Sequence, residues 1–239
     1  PFGELRMILS ISKDQIPNQL IGNWYLFEIV MEIIPGILEQ SWEEIERKLA
    51  IIKQFSRTVH IDILDGKFAP NTTFLDPNPF TKYKDDLFFE LHMMVEEPID
   101  YLEPWAKAGF KRFIGQVEKM EDQIAFVAKA QTLGEVGLAV DAKTDPSAIT
   151  VDFEDLDFLF VMTVHAGFSH QSFLPECLNK VRYFRSKSDL PIEVDGGIND
   201  KTVVDGVKAG ATRFVSTGFL FKSNNPKGRY ETLVSKIQG

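Results

Sequence analysis

The chain holds 239 residues, 44% of them hydrophobic and 26% charged, an ordinary globular composition long enough to bury a core without covalent staples. A single cysteine, Cys177, excludes an intramolecular disulfide framework and any CxxC zinc ribbon. With 26 basic against 35 acidic residues the net charge is −9, which argues against a nucleic-acid partner, and no run of about 18 uncharged apolar residues exists to span a membrane.

Residues 1–30 read as an N-terminal extension outside the folded unit. Pro1 opens it without a start methionine, and no basic region precedes a long apolar core as in a signal peptide. Met31 directly precedes a strand-like run and stands as a candidate start, so an over-long reading frame would account for the leader. Cysteine usage and the lack of a signal pattern point to the cytoplasm.

From Met31 onward strand-like and helix-like segments alternate. Strands are expected over 32–38, 58–63, 87–93, 112–117, 136–140, 158–164, 191–194 and 213–216. Ser41-Trp42-Glu43-Glu44 has the form of a capping box, in which Ser41 caps the backbone amides while Glu44 reaches back. Trp42, Ile45, Leu49 and Ile52 then mark one helical face. Further helices are expected over 98–108, 122–133, 175–187 and 200–209, with a last one at the carboxyl end. The strands after 136 and 158 are near-continuous apolar runs, as buried parallel strands should be.

Eight strands separated by crossovers imply a parallel sheet closed on itself, an α/β chain with a single (β/α)8 TIM barrel over 31–239. The rival is an open doubly wound sheet, which carries a glycine-rich phosphate turn after its first strand. That turn reads Pro35-Gly36-Ile37-Leu38 here, and is no such motif.

In a barrel of this kind reactive groups sit at the carboxyl ends of strands. All four histidines are expected there: His60 and His92 at strand ends, His165 and His170 in the segment after another strand. His60-Ile61-Asp62 puts an imidazole and a carboxylate on one face of a strand, because strand side chains alternate. Inside a barrel that face is the lumen, and a buried charge without a partner is costly. A metal ion supplies a reason for the pair; a neutral histidine bonded to the aspartate is the alternative. His92 and Asp195 are the third and fourth candidate ligands. Two imidazoles and two carboxylates suit one divalent ion of zinc, manganese, iron or cobalt better than magnesium or calcium.

Asp195-Gly196-Gly197 precedes a helix, where backbone amides can approach an anion closely. Ala166-Gly167-Phe168-Ser169-His170 and Thr217-Gly218 are two more glycine-bearing strand ends. Each alone fits an ordinary turn. Together they point to a phosphate site built from Gly167, Phe168, Ser169, His170, Gly196, Gly197, Thr217 and Gly218.

Five segments now resemble one family, the ribulose-phosphate 3-epimerases. Val59-His60-Ile61-Asp62-Ile63-Leu64-Asp65-Gly66 looks like the family's HxDxMDG signature, and Phe68 to Phe74 like FVPNxTF. Leu91-His92-Met93-Met94-Val95 resembles HMMV. Val161-Met162-Thr163-Val164, with Gly167-Phe168 and Gln171-Ser172-Phe173, resembles MTVxPGFGGQxF. Glu193-Val194-Asp195-Gly196-Gly197-Ile198 resembles EVDGGI. The segments run in the family's order between about Met31 and Phe221.

The resemblance implies a ribulose-phosphate-binding barrel that inverts C3 of a ketose phosphate, taking D-ribulose 5-phosphate to D-xylulose 5-phosphate through an enediolate. It makes His60, Asp62, His92 and Asp195 the metal ligands, and Asp62 and Asp195 the two acid/base carboxylates. It sets Met94 and Met162 near the metal, although plain core filling also explains two methionines. It further implies a homo-oligomer. Allulose 6-phosphate is the nearest alternative substrate.

The chain departs from the family at substrate-facing positions. Pro-Gly-Phe-Gly-Gly is here Ala166 to His170, and Gly-Ser after the last strand is Thr217-Gly218. Gly36 replaces a serine, Leu64 a methionine, and Gln116 stands where many members carry histidine. These changes bear on substrate identity more than on reaction type. Two readings of other classes remain. One is a non-catalytic sugar-phosphate binder. The other is a superfamily lyase, since Asp141-Ala142-Lys143-Thr144-Asp145 resembles a DxKxxD motif, with the second aspartate one residue early.

Overall fold

Every strand pairs in parallel with its sequence neighbour, and the last returns to the first. The strands are β1 (Glu32–Ile37), β2 (Thr58–Leu64), β3 (Phe88–Met94), β4 (Phe110–Gln116), β5 (Glu135–Val140), β6 (Phe158–Met162), β7 (Ile192–Asp195) and β8 (Arg213–Ser216). The structure is a computed structural model that describes residues 31–168 and 171–238. The expected extension over 1–30 therefore lies outside the described residues, as do Ser169 and His170. Closure comes from the register of β1 on β8, Glu32 opposite Arg213 through Pro35 opposite Ser216. An open sheet is ruled out, because no strand is left with a free edge.

Helices cover the outside: α1 (Trp42–Ile52), α2 (Leu102–Lys107), α3 (Gln123–Gln131), α4 (Leu178–Arg185), α5 (Thr202–Ala209), α6 (Gly218–Phe221) and α7 (Pro226–Gln238). Alternation divides each strand between two apolar layers. Val59, Ile61 and Ile63 of β2 face outward, in one cluster with Ile45, Leu49 and Ile52 of α1. Each fully buried side chain of this kind contributes about 1.5–3 kcal/mol. A second, smaller cluster fills the lumen with Ile34, Ile114, Phe158, Phe160, Met162 and Val215. The polar lumen positions of β2 and β3 sit among these residues.

Three expectations change in detail. Ser41 does cap α1, accepting from the Glu44 amide at 3.4 Å. The Glu44 carboxylate turns instead to Arg47, at 2.8 Å one turn on, where a charged donor is available. The helices expected over 98–108 and 175–187 each open as a 3₁₀ turn, Pro98–Tyr101 and Pro175–Cys177, before α2 and α4. His60 and His92 lie inside their strands, since β2 runs on to Leu64 and β3 to Met94. They sit one layer down in the lumen, below the loops.

Candidate metal centre and cleft

The period of two along β2 and β3 builds the centre. His60 and Asp62 point inward from β2; Glu90, His92 and Met94 do so from β3. Asp62 and His92 are register partners, so their side chains meet. Asp195 ends β7, next to Met162 in register, and enters from the other side of the lumen. Thr163 holds that strand end, its hydroxyl donating to the Asp195 carbonyl at 2.9 Å and the Gly196 carbonyl at 2.6 Å.

The hydrogen bonds around each imidazole assign its tautomer. His60 Nδ1 lies 2.6 Å from Glu90 Oε1 and donates to it, which leaves Nε2 unprotonated, 3.2 Å from Asp62 Oδ1. His92 Nε2 donates to Gln116 Oε1 at 3.0 Å, while the Gln116 amide nitrogen donates to Glu118 Oε2 at 2.7 Å. His92 Nδ1 is then also unprotonated, 2.8 Å from the same Asp62 Oδ1. Two ring lone pairs thus face one carboxylate oxygen, an arrangement that repels unless a cation stands among them. Ligand atoms of His60, Asp62, His92 and Asp195 all lie within 4.8 Å of one another, so the cluster can hold a divalent ion.

Burial works against charge on His60, but Asp62, Glu193 and Glu90 outweigh it and hold the imidazole well above its usual range. Burial would likewise raise Asp62, yet His60 and His92 keep its carboxyl below the ordinary value. Asp195 is pushed up to about 7, by burial first and by the Asp62 charge second. Burial pulls His92 down.

Beneath the His60, Asp62, His92 and Asp195 cluster lies a buried polar layer to which the sequence reading gave no role. Arg112 Nη1 lies 2.6 Å from Glu90 Oε2, and its Nε 2.7 Å from Glu135 Oε2. Glu193 is also buried, 3.6 Å from His60 Nδ1, and among the described residues neither of its carboxylate oxygens has a hydrogen-bond partner. Burial and the neighbouring Glu90 push its carboxyl up to about 8. The signal was available: Glu90 and Glu193 each stand two residues before a ligand, on the same strand face.

Above the ligands opens a cleft of about 550 Å³, a size ordinary for small-molecule sites. Asp62 and Asp195 line its floor, with Met94 and Met162 beside them, while His60 and His92 are fully buried below. Gly167, Phe168, Gly196, Gly197, Thr217 and Gly218 all line its walls. Gly197 has φ +68° and a Cβ there would meet the Phe173 nitrogen at 2.7 Å, so only glycine fits that turn. The loop after β6 is pinned from both sides. Asn71 donates to the Gly167 carbonyl at 2.7 Å, and the Ala166 amide to Asp141 Oδ1 at 2.6 Å.

Asp141 therefore serves a loop, and neither it nor Lys143 nor Asp145 lines the cleft. Asp145 accepts from the Ser147 amide at 2.9 Å and caps a short turn. The lyase reading loses its residues by this placement. His165 is 49% exposed and 3.7 Å from Asp141; it keeps its expected place in the segment after β6 and stays outside the cluster of His60, Asp62, His92 and Asp195.

Gly36 and Thr217 are coupled. A Cβ built on Gly36 would collide with Thr217 Oγ1 and come within 2.9 Å of Val215 Cγ1. A side chain at Gly36 therefore requires Thr217 and Val215 to shift. Gly36→Ser is expected to cost about 1–3 kcal/mol, and adding Thr217→Gly should return most of it. Thermal unfolding of the single and double variants checks this; a Gly36→Ser protein as stable as the parent refutes it.

A closed parallel barrel with a titratable cluster and a cleft at the carboxyl ends of its strands defines a (β/α)8 enzyme of small-molecule chemistry. Over residues 32–221 the chain matches the Ribulose-phosphate 3 epimerase family and belongs to it, which places it among the isomerases. The ribulose-phosphate 3-epimerase of Schizosaccharomyces pombe is 35% identical over 206 residues, 82% of this chain and 89% of that protein. The cytoplasmic isoform of Oryza sativa subsp. japonica is 31% identical over 217 residues, 87% of this chain and 95% of that one. Among solved structures, 3-hexulose-6-phosphate synthase from Salmonella typhimurium matches with a TM-score of 0.64 at 11% identity, over 87% of this chain and 99% of that one. The last likeness is one of fold alone.

Proposed function

We propose that this protein interconverts D-ribulose 5-phosphate and D-xylulose 5-phosphate by inverting C3, with Asp62 and Asp195 as its two acid/base groups. The observation that carries the reading is the meeting of these two carboxylates, from β2 and β7, on the cleft floor of a chain of this family. Inversion next to a ketone needs a proton taken from one face of the carbon and one returned on the other, hence one group per face. Asp62 and Asp195 come from opposite sides of the lumen, which suits that division. A divalent ion of zinc, manganese, iron or cobalt, held by His60, Asp62, His92 and Asp195, would polarise the ketone oxygen and offset the charge of the enediolate. Met94 and Met162 border this floor with apolar surface and help keep water from the reacting carbon.

The phosphate is assigned to Gly167, Phe168, Gly196, Gly197, Thr217 and Gly218, and from the sequence also to Ser169 and His170, which lie outside the described residues. Residues 31–239 are assigned as the whole catalytic barrel, working as a homo-oligomer in the cytoplasm. Among the described residues no helix is long and apolar enough to cross a membrane.

Metal analysis followed by solvent deuterium exchange over a panel of ketose phosphates tests the reading. One metal per chain is expected, with deuterium entering C3 of ribulose 5-phosphate faster than that of allulose 6-phosphate. A metal-loaded protein that exchanges no ketose phosphate would be a binding protein, and the proposal would fall.

A further inference from the structure

The floor of the cleft is acidic, with Asp62 and Asp195 on it, and the chain as a whole carries −9. A dianion entering against that field needs positive charge close by, because exposed charges act over only about 8–10 Å at ordinary salt. The wall that follows β8 supplies it. Lys222 ends α6 and Arg229 lies early in α7, and both line the same cleft as Gly197, Thr217 and Gly218.

Two features set this pair apart from cations that only face solvent. Among the described residues neither has an ion-pair partner; Glu231, on the helix that carries Arg229, is paired with Lys227 at 3.9 Å. The Arg229 guanidinium lies over the Phe219 ring, 4.6 Å from its centroid, and Phe219 is itself a wall of the cleft. Contact with the aromatic ring restrains the guanidinium without consuming its N–H donors, which stay available for an oxyanion.

We infer that Lys222 and Arg229 form a cationic subsite that takes the phosphate monoester end of the ligand and holds it by charge from the β8 side of the cleft. The inference rests on reading the cleft as a sugar-phosphate site, and it adds the side chains that select the phosphate. Backbone amides alone would bind an anion with little dependence on salt or on these two residues. A pair of exposed cations makes both dependences visible. The contact is the same before and during reaction, so its loss falls on KM rather than kcat.

Calorimetric titration of inorganic phosphate into the metal-loaded protein tests this directly. Lys222→Ala and Arg229→Ala should each weaken phosphate binding about fivefold, and the double variant about twentyfold, with a shallower salt dependence. The KM for the ketose phosphate should rise in parallel, and Lys222→Arg should keep phosphate affinity near that of the parent. Lys227→Ala, on the same helix but outside the cleft, should change neither quantity. Unchanged phosphate affinity in the double variant overturns the inference, as does a parent protein that binds no phosphate. The two readings fail separately. Phosphate binding lost in the variants, with no ketose phosphate turned over by the parent, leaves the subsite standing and sinks the epimerase. Epimerase activity with phosphate binding indifferent to both cations does the reverse.

Discussion

Asp195→Asn is expected to abolish epimerisation, with kcat down by about a thousandfold or more. The substitution keeps the shape of the side chain and leaves an amide oxygen to face a metal, but removes the negative charge and with it the capacity to take and return a proton. It should not harm the fold, because burial and Asp62 already hold this carboxyl up to about 7 and a neutral amide meets no electrostatic penalty there. A two-group inversion makes a sharper forecast. Each aspartate serves one face, so each asparagine variant loses proton removal from one epimer and keeps it from the other. In solvent deuterium, with metal content measured and matched, Asp195→Asn should exchange C3 of one epimer and Asp62→Asn that of the other, while neither converts one epimer to the other. Epimerisation retained within about tenfold of the parent in either variant removes that aspartate from the acid/base pair.

The second large effect is on stability, below the metal centre. Arg112→Met is expected to lower the unfolding free energy by about 3–5 kcal/mol, because it strips the counter-charge from a buried carboxylate. Arg112 lies 2.6 Å from Glu90, which is fully buried and 2.6 Å from His60. Glu193 shares that layer without a hydrogen-bond partner among the described residues. Removing the guanidinium alone leaves acids facing acids in the lumen. Replacing the group together, as Arg112→Met with Glu90→Leu and Glu193→Leu, should return most of the stability, since a packed apolar layer is at least as favourable as a buried ion network. The triple variant should still bind metal about 10–100-fold more weakly, because Glu90 no longer holds the His60 Nδ1 proton and so no longer turns Nε2 toward the other ligands. Urea unfolding gives the first result as a midpoint shift at constant slope, and competition with a chelator gives the second. A single Arg112→Met variant that loses less than about 1 kcal/mol would show the network to be energetically idle.

Local chemistry was open to reading in one dimension. The alternation of apolar runs with amphipathic stretches is a property of neighbouring residues, and it carried the barrel and all eight of its strands to within two residues at either end. β6 stops two residues before the expected 164, at Met162, because the chain turns there into the pinned loop that Asp141 and Asn71 hold. Ser41 was a recognisable cap for the same reason, since a cap and the amide it serves lie within one turn. The His60-Ile61-Asp62 pair was legible because a strand puts every second side chain on one face.

Sequence by itself therefore determined the elements and the barrel, which follow from spacing along the chain, and it singled out His60, Asp62, His92 and Asp195 as candidates for a metal site. What lay between elements was decided only by the tertiary structure. Closure of β1 on β8 brings Gly36 against Thr217, from opposite ends of the barrel sequence, so that a side chain at Gly36 requires Thr217 to shift. Parallel register sets Glu90 between Arg112 and His60, and with it the His60 tautomer that turns Nε2 toward Asp62. Folding of α6 and α7 against the mouth turns Lys222 and Arg229, ordinary cations in a strongly acidic chain, into the charged wall of its cleft. Burial, register and opposing charge are properties of pairs that meet in space, so they entered only once the barrel had closed.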